Sequence, residues 1–339
     1  MTNDYRPRRA ESSRGGWPRL GAVGVLAALL VLGILGFALL RPVPATAPTP
    51  VAGSAAASAT SASVVASGTA VASAAVSETQ TPTPEVSREA VTVSSVPNFR
   101  DVAGVGIELA DGATMATGVV YRAAKLSTLS KADAAKLADA GVSDIFDLRT
   151  PDVARRSPDV KIEGATNRLV NLYALDRAPS PPRTNAAAAK DFMRGLYVGF
   201  VDDADQRKRI ASVLKEVAQV EQPVIVHCSE GKDRTGWVSA MLQFVAGADR
   251  ETVLEQYLLS NQEREALIAK SYAAAKRTSG VAAADIDRAL KTVEASYLNA
   301  GLAQVEKRYG SVDGYLSKGL GLKQETLDAL RAKLRVEAR

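Results

Sequence analysis

Residues 223–236 read Pro-Val-Ile-Val-His-Cys-Ser-Glu-Gly-Lys-Asp-Arg-Thr-Gly. The first five form a short apolar run rich in β-branched residues, which predicts a buried central strand ending at His227. From Thr235 to Val245 the composition is helical, so the residues between form a loop from a strand into a helix N-terminus. The same alternation extends outward. Gly118 to Tyr121 reads as the end of a short strand. Ser130, with an acid three residues on at Asp133, caps a helix that runs through Leu137 and that Gly141 closes. Val142 to Leu148 and Thr166 to Leu172 are further strands, Glu251 to Asn261 a further helix, and the chain beyond Ala282 is helical in spacing. Strands alternating with helices predict an α/β domain with a mainly parallel central sheet flanked by helices. That domain is expected over 90–339.

The loop carries the chemistry. Cys228 and His227 are the one cysteine and the one histidine of the chain, which excludes an intrachain disulfide and a multi-cysteine metal site. An isolated cysteine is most often a small buried hydrophobe. Here it precedes Arg234 with five residues between them. A loop of that length curls so that successive N–H groups face one centre at a helix N-terminus, where partial positive charge collects. A phosphate held there meets backbone donors while Arg234 grips two of its oxygens. The same field lowers the Cys228 pKa and makes its thiolate a nucleophile. Gly231 and Gly236 allow close backbone approach. His227 is expected to orient the loop through hydrogen bonds rather than to ligate metal, and Thr235 offers a hydroxyl beside the sulfur. Lys232 adds a cation suited to substrates with more than one phosphate. Asp233 is a candidate general acid, with Asp176 as its rival. The stretch from Asp176 to Phe200, Pro-rich and then Ala-rich, is a candidate lid. No cofactor and no metal are expected.

The N-terminal third is of a different kind. Leu20 to Leu40 is an uncharged run of 21 residues, long enough at about 1.5 Å per residue to span a bilayer core of roughly 30 Å. Arg6, Arg8, Arg9, Arg14 and Arg19 precede it, and only Arg41 follows closely. That asymmetry predicts a cytoplasmic N-terminus (1–19), one transmembrane helix (20–40) and an extracytoplasmic remainder. A cleaved signal peptide with Ala45-Thr46-Ala47 at its site is the other reading. Residues 41–89 are almost wholly Pro, Ala, Thr, Ser, Val and Gly and read as a disordered linker. The formal charge of +5 belongs largely to the tail. Six arginines against Asp4 and Glu11 give +4 over residues 1–41, leaving about +1 for the rest, so charge makes no case for nucleic-acid binding.

His227 to Gly236 resembles the HCxxGKDRTG loop of the bacterial tyrosine phosphatase family with combined protein and phosphoinositide phosphatase activity. Pro97-Asn-Phe-Arg-Asp101, Tyr121-Arg-Ala-Ala-Lys-Leu-Ser127, Asp147-Leu-Arg-Thr150 and Tyr309-Gly-Ser-Val-Asp-Gly-Tyr315 are similar to further family segments, so the resemblance covers about 90–335. It implies the cysteine-dependent phosphatase fold and a phosphocysteine intermediate on Cys228. It also implies phosphate binding by Arg234 and Asp233 as acid within the loop, and His227, Ser229, Glu230, Gly231, Lys232, Thr235 and Gly236 are the expected substrate-binding residues around them. Phosphorylated proteins, phosphoinositides or inositol phosphates are the implied partners, with an exported inositol-polyphosphate phosphatase as the alternative. A non-catalytic envelope module on a stalk and rhodanese-type sulfur transfer are disfavoured by the intact Cys–Arg spacing. Ala103 and the Ser229-Glu230 pair depart from the family pattern, and Glu230 is expected to repel acidic substrates if it points inward.

Overall fold

The computed structural model describes residues 87–338. The expected tail 1–19, transmembrane helix 20–40 and all but the last residues of the linker 41–89 lie outside the described residues. Among the described residues no helix is long and apolar enough to cross a membrane.

The strands are β1 (Arg100–Asp101), β2 (Thr114–Met115), β3 (Val120–Ala123), β4 (Asp144–Asp147), β5 (Thr166–Leu169), β6 (Val224–His227) and β7 (Arg335–Val336). Five of them form one mixed sheet in the order β1-β3-β6-β4-β5, in which only β1 runs antiparallel. β2 and β7 pair separately as an antiparallel ribbon. The helices are α1 (Lys131–Asp139), α2 (Pro151–Arg156), α3 (Ala186–Asp202), α4 (Ala204–Gln219) and α5 (Arg234–Ala246). They continue with α6 (Arg250–Gln262), α7 (Glu265–Lys291), α8 (Ala295–Tyr309), the single turn α9 (Val312–Gly314) and α10 (Gln324–Leu334).

β6 shows why the sheet has two covered faces. Val224 and Val226 point into the larger core with Trp237, Tyr197 and Phe200, whereas Ile225 points into a smaller one with Leu126, Leu137 and Ile145. Successive strand residues alternate faces, and here both faces are apolar because helices or the N-terminal segment cover each. α5 is buried nearly all round, as expected for a helix without a polar face. Trp237 lies at the centre of an aromatic group, its ring 6.2 Å from Tyr197, 5.7 Å from Phe200 and 6.0 Å from Tyr315.

Register places the functional loops together. Ala123 and Asp147 both pair with His227, so β3, β4 and β6 end at one level and their following loops emerge side by side. Open parallel sheets bind ligands at this end.

Two expectations are corrected and one helix is added. Gly118 to Tyr121 leads into a strand rather than ending one: Gly118 turns the chain at φ +72°, its amide is held by Asp101 Oδ2 at 2.6 Å, and β3 runs from Val120 to Ala123. α4 was not foreseen, although Ile210, Val213, Leu214 and Val217 repeat at helical spacing on its buried face and Asp203 caps it through the Asp205 and Gln206 amides. From Ala186 onward the stretch to Phe200 is no lid. α3 buries Ala189, Met193, Tyr197, Phe200 and Val201 and is part of the core. α7 instead breaks at Gly280, at φ 85° and ψ 177°. Its two arms fold back on each other, with Arg264 reaching the Lys291 carbonyl at 2.5 Å and Ser271 reaching Asp287 at 2.6 Å.

Candidate active site

The loop after β6 is tied down from outside. The Ser229 carbonyl accepts from the Lys125 amide at 3.3 Å. The Glu230 carbonyl accepts from Asn98 Nδ2 at 3.1 Å. The Gly231 carbonyl accepts from Asn98 Nδ2 and from the Arg122 guanidinium, each at 2.8 Å. In a trans peptide the N–H points opposite to the C=O, so fixing three successive carbonyls outward turns the amides of Glu230, Gly231 and Lys232 to the inner side. Among the described residues no amide from Ser229 to Asp233 donates to a backbone carbonyl. Gly231 makes this curl possible. Its φ is +66°, and a Cβ there would lie 2.5 Å from the Ala123 carbonyl carbon. Gly236 lets the helix start pack on Tyr257, whose ring carbons stand 3.1 Å from where a Cβ would be.

Cys228 sits inside the curl and is 2% exposed. Burial pushes its thiol up, but the Arg234 guanidinium and the hydroxyl and amide of Thr235 outweigh burial and hold it below the ordinary value. The Thr235 hydroxyl has no nitrogen or oxygen partner of its own. Arg234 is fixed from three sides. Its guanidinium donates to the Leu148 carbonyl at 3.1 Å and to Ser229 Oγ at 3.2 Å, and it lies 4.6 Å from the Tyr173 ring centroid. Its Nε is buried without a partner.

The Asp233 carboxylate contacts Lys232 Nζ at 3.0 and 2.8 Å and accepts from the Tyr197 hydroxyl at 3.2 Å. Tyr197 in turn meets the Tyr257 hydroxyl at 2.7 Å. His227 is fully buried behind the loop. Its Nδ1 lies 3.3 Å from the Cys228 carbonyl oxygen. Its Nε2 stands 3.3 Å from Asp159 Oδ2 without the alignment of a hydrogen bond. Asp147, Asp159 and His227 converge closely enough to suggest a metal site, yet Arg149 bridges the two carboxylates at 2.7 and 2.5 Å. A guanidinium thus supplies the positive charge in that cluster.

The sequence profile of the tyrosine phosphatase family matches residues 91–336. This chain belongs to the tyrosine phosphatase family. Among its curated relatives, the triple specificity protein phosphatase PtpB of Mycobacterium tuberculosis is 29% identical over 272 residues, covering 70% of this chain and 96% of PtpB. A Cupriavidus necator protein provisionally assigned as a tyrosine-protein phosphatase is 30% identical over 240 residues, 69% of this chain and 85% of the relative. A Nostoc commune tyrosine-protein phosphatase is 26% identical over 217 residues, 63% of this chain and 73% of the relative.

Of the residues expected at this phosphatase's site, Cys228, Ser229, Lys232, Asp233, Arg234 and Thr235 share one loop and helix start. Asp176 lies exposed in the segment after β5, and among the described residues it makes no hydrogen bond or ion pair with that loop. Glu230 points outward, to Arg264 at 3.0 Å and to Lys291. Asn98, Arg122, Tyr173, Tyr197 and Asp159 were not singled out. Asn98 and Arg122 lie within the family-like segments at 97–101 and 121–127, which was the available signal. Nothing local marked Tyr173, Tyr197 or Asp159.

Proposed function

We propose that this tyrosine phosphatase hydrolyses phosphate monoesters through a phosphocysteine on Cys228, acting on phosphotyrosine proteins and phosphoinositides. The observation that carries the reading is a thiol held below its ordinary pKa in the same curl as Arg234 and the inward amides. The thiolate attacks phosphorus, the ester P–O bond breaks, and the leaving oxygen takes a proton from Asp233. Water then attacks the phosphocysteine, its proton returns to Asp233, and Cys228 leaves as a thiolate with the Thr235 hydroxyl donating to it. Arg234 and the loop amides stabilise the charge on the equatorial phosphate oxygens throughout. Lys232 touches both Asp233 oxygens in the free protein, so the acid role requires the incoming phosphate to draw Lys232 away. The triple specificity in PtpB's name supports more than one substrate class. An inositol-polyphosphate phosphatase is the second reading, and it would use the cations Lys125, Arg264 and Lys291 beside the loop, two of which Glu230 occupies in the free protein. The test is phosphate release by the full chain in detergent against phosphotyrosine peptide, phosphoinositide and soluble inositol phosphates. Cys228→Ser should abolish release from all of them, and undiminished turnover would refute the mechanism. Asp233→Asn should slow phosphotyrosine hydrolysis by about 10²–10⁴ and p-nitrophenyl phosphate, with its good leaving group, far less. A larger effect from Asp176→Asn would reassign the acid.

We propose further that residues 20–40 anchor the chain in the cell membrane with 1–19 in the cytoplasm, and that 41–89 hold the phosphatase domain outside. The uncharged run and the arginines before it support this. Protease added to intact cells should remove the domain, and a chain recovered wholly in the soluble fraction would overturn the anchor.

A further inference from the structure

Beside the phosphate curl lies a second cavity of about 360 Å³, lined in part by Lys125, Ser229, Glu230, Arg264, Ser271 and Lys291. Ser229 joins it to the curl, since its hydroxyl takes Arg234 at 3.2 Å. Three cations and one carboxylate are among its lining residues, and Pro97, Ala124 and Leu267 supply an apolar part of the wall. Lys125 is held to Ser157 Oγ at 2.9 Å. Arg264, 4% exposed in its side chain, and Lys291 both bind the Glu230 carboxylate. Glu230 is anchored at its other end, where its carbonyl accepts from Asn98, so the residue spans from the loop wall to the cations. Burial alone would push its carboxyl up, but Lys232, Arg264 and Lys291 hold it below the ordinary range. Two cations placed next to a phosphate site, with one carboxylate occupying both, form an anion site already filled from within the chain.

We propose that this cavity is a subsite for a second phosphate of the substrate, and that Glu230 is its resident counter-ion, biasing the enzyme towards substrates with a single phosphate. The inference rests on the phosphomonoesterase reading. A second phosphate on the same substrate must displace the carboxylate from Arg264 and Lys291 to enter, and the exchange of one anion for another returns little. A singly phosphorylated substrate leaves the pairing intact. Glu230→Gln keeps the shape and removes the charge, freeing both cations for an incoming anion. Lys291→Gln weakens the subsite itself.

The experiment compares kcat/KM for an inositol bisphosphate with that for a singly phosphorylated tyrosine peptide, in the full chain and both variants. The bisphosphate-to-peptide ratio should rise about tenfold in Glu230→Gln and fall in Lys291→Gln, and both shifts should shrink in high salt. General damage to the fold lowers kcat/KM for both substrates alike and leaves their ratio unchanged, so it cannot produce two opposite shifts. Lys291 is 37% exposed in its side chain, so its replacement tests the subsite even if Glu230→Gln fails to fold. Ratios that stay within about twofold of the parent, or that move together, overturn the inference while leaving the phosphatase reading intact. Loss of all release from the parent chain would instead overturn that reading.

Discussion

Gly231 shows how much chemistry rests on one missing Cβ. At φ +66° with the Ala123 backbone 2.5 Å from a Cβ position, alanine here meets both conformational strain and a clash that no rotamer relieves. Gly231→Ala should therefore uncurl the loop and cut kcat/KM at least about a hundredfold, a 1 Å misplacement at a reacting centre being enough for that. Far-ultraviolet circular dichroism should stay near the parent's, because the strain is local. At Cys228 the competing influences are separable. Thr235 contributes a hydroxyl and an amide that pull the thiol down against burial, and only the hydroxyl is removable. Iodoacetate inactivation of the parent should have its pH midpoint below the ordinary thiol value of about 8.5. Thr235→Ala should move that midpoint upward, and an unchanged midpoint would leave Arg234 as the sole side chain responsible.

At the scale of elements, α5 links stability to the site because it begins at Arg234 and is buried almost throughout. Trp237, one turn in, touches the aromatic side chains of α3 and Tyr315, and Gly301 of α8 lies where a Cβ would be 2.6 Å from its ring. Trp237→Ala should cost about 3–5 kcal/mol in equilibrium urea unfolding, through the cavity it leaves. α1 illustrates a smaller, local device. Ser130 accepts the Asp133 amide at 3.1 Å, and the Asp133 carboxylate takes the Ser95 amide and hydroxyl at 3.1 and 2.6 Å. One capping pair therefore fixes both a helix start and the N-terminal segment that covers the smaller core.

For the folded domain as a whole, the informative titration is that of Asp101. Burial pushes its carboxyl up to about 6, despite hydrogen bonds from the Ala103 and Gly118 amides that pull it down. A carboxyl raised on folding keeps its proton in the native state after the unfolded chain has lost it. Between about pH 4, the unfolded value, and pH 6 the native state binds more protons, so this group's contribution to stability falls as pH rises. The stability gap between the parent and Asp101→Ala should narrow from pH 4 to pH 6.5 in urea unfolding. A gap that widens would show the carboxylate to be stabilised by its two amides more than it is penalised by burial.

The strand-loop-helix unit at 223–246 was legible because everything that specifies it is local. A β-branched run makes the strand, a five-residue spacing lets cysteine and arginine share one curl, and glycine supplies the turn. The α/β class and the mainly parallel sheet followed from the alternation of such units. What holds the curl was legible only as family-like segments without a role, since Asn98 and Arg122 reach Gly231 across 133 and 109 positions. The helical part of the candidate lid at 176–200 failed for a related reason. An amphipathic helix shows in its spacing that one face is covered, and α3's cover is α8, about a hundred residues later. Sequence alone determined which side chains share the loop proposed to do the chemistry, because covalent spacing fixes them relative to one another. Tertiary structure decided where Glu230 points, what cradles Arg234 and which carboxylate stands near the sulfur, because long-range packing sets those distances.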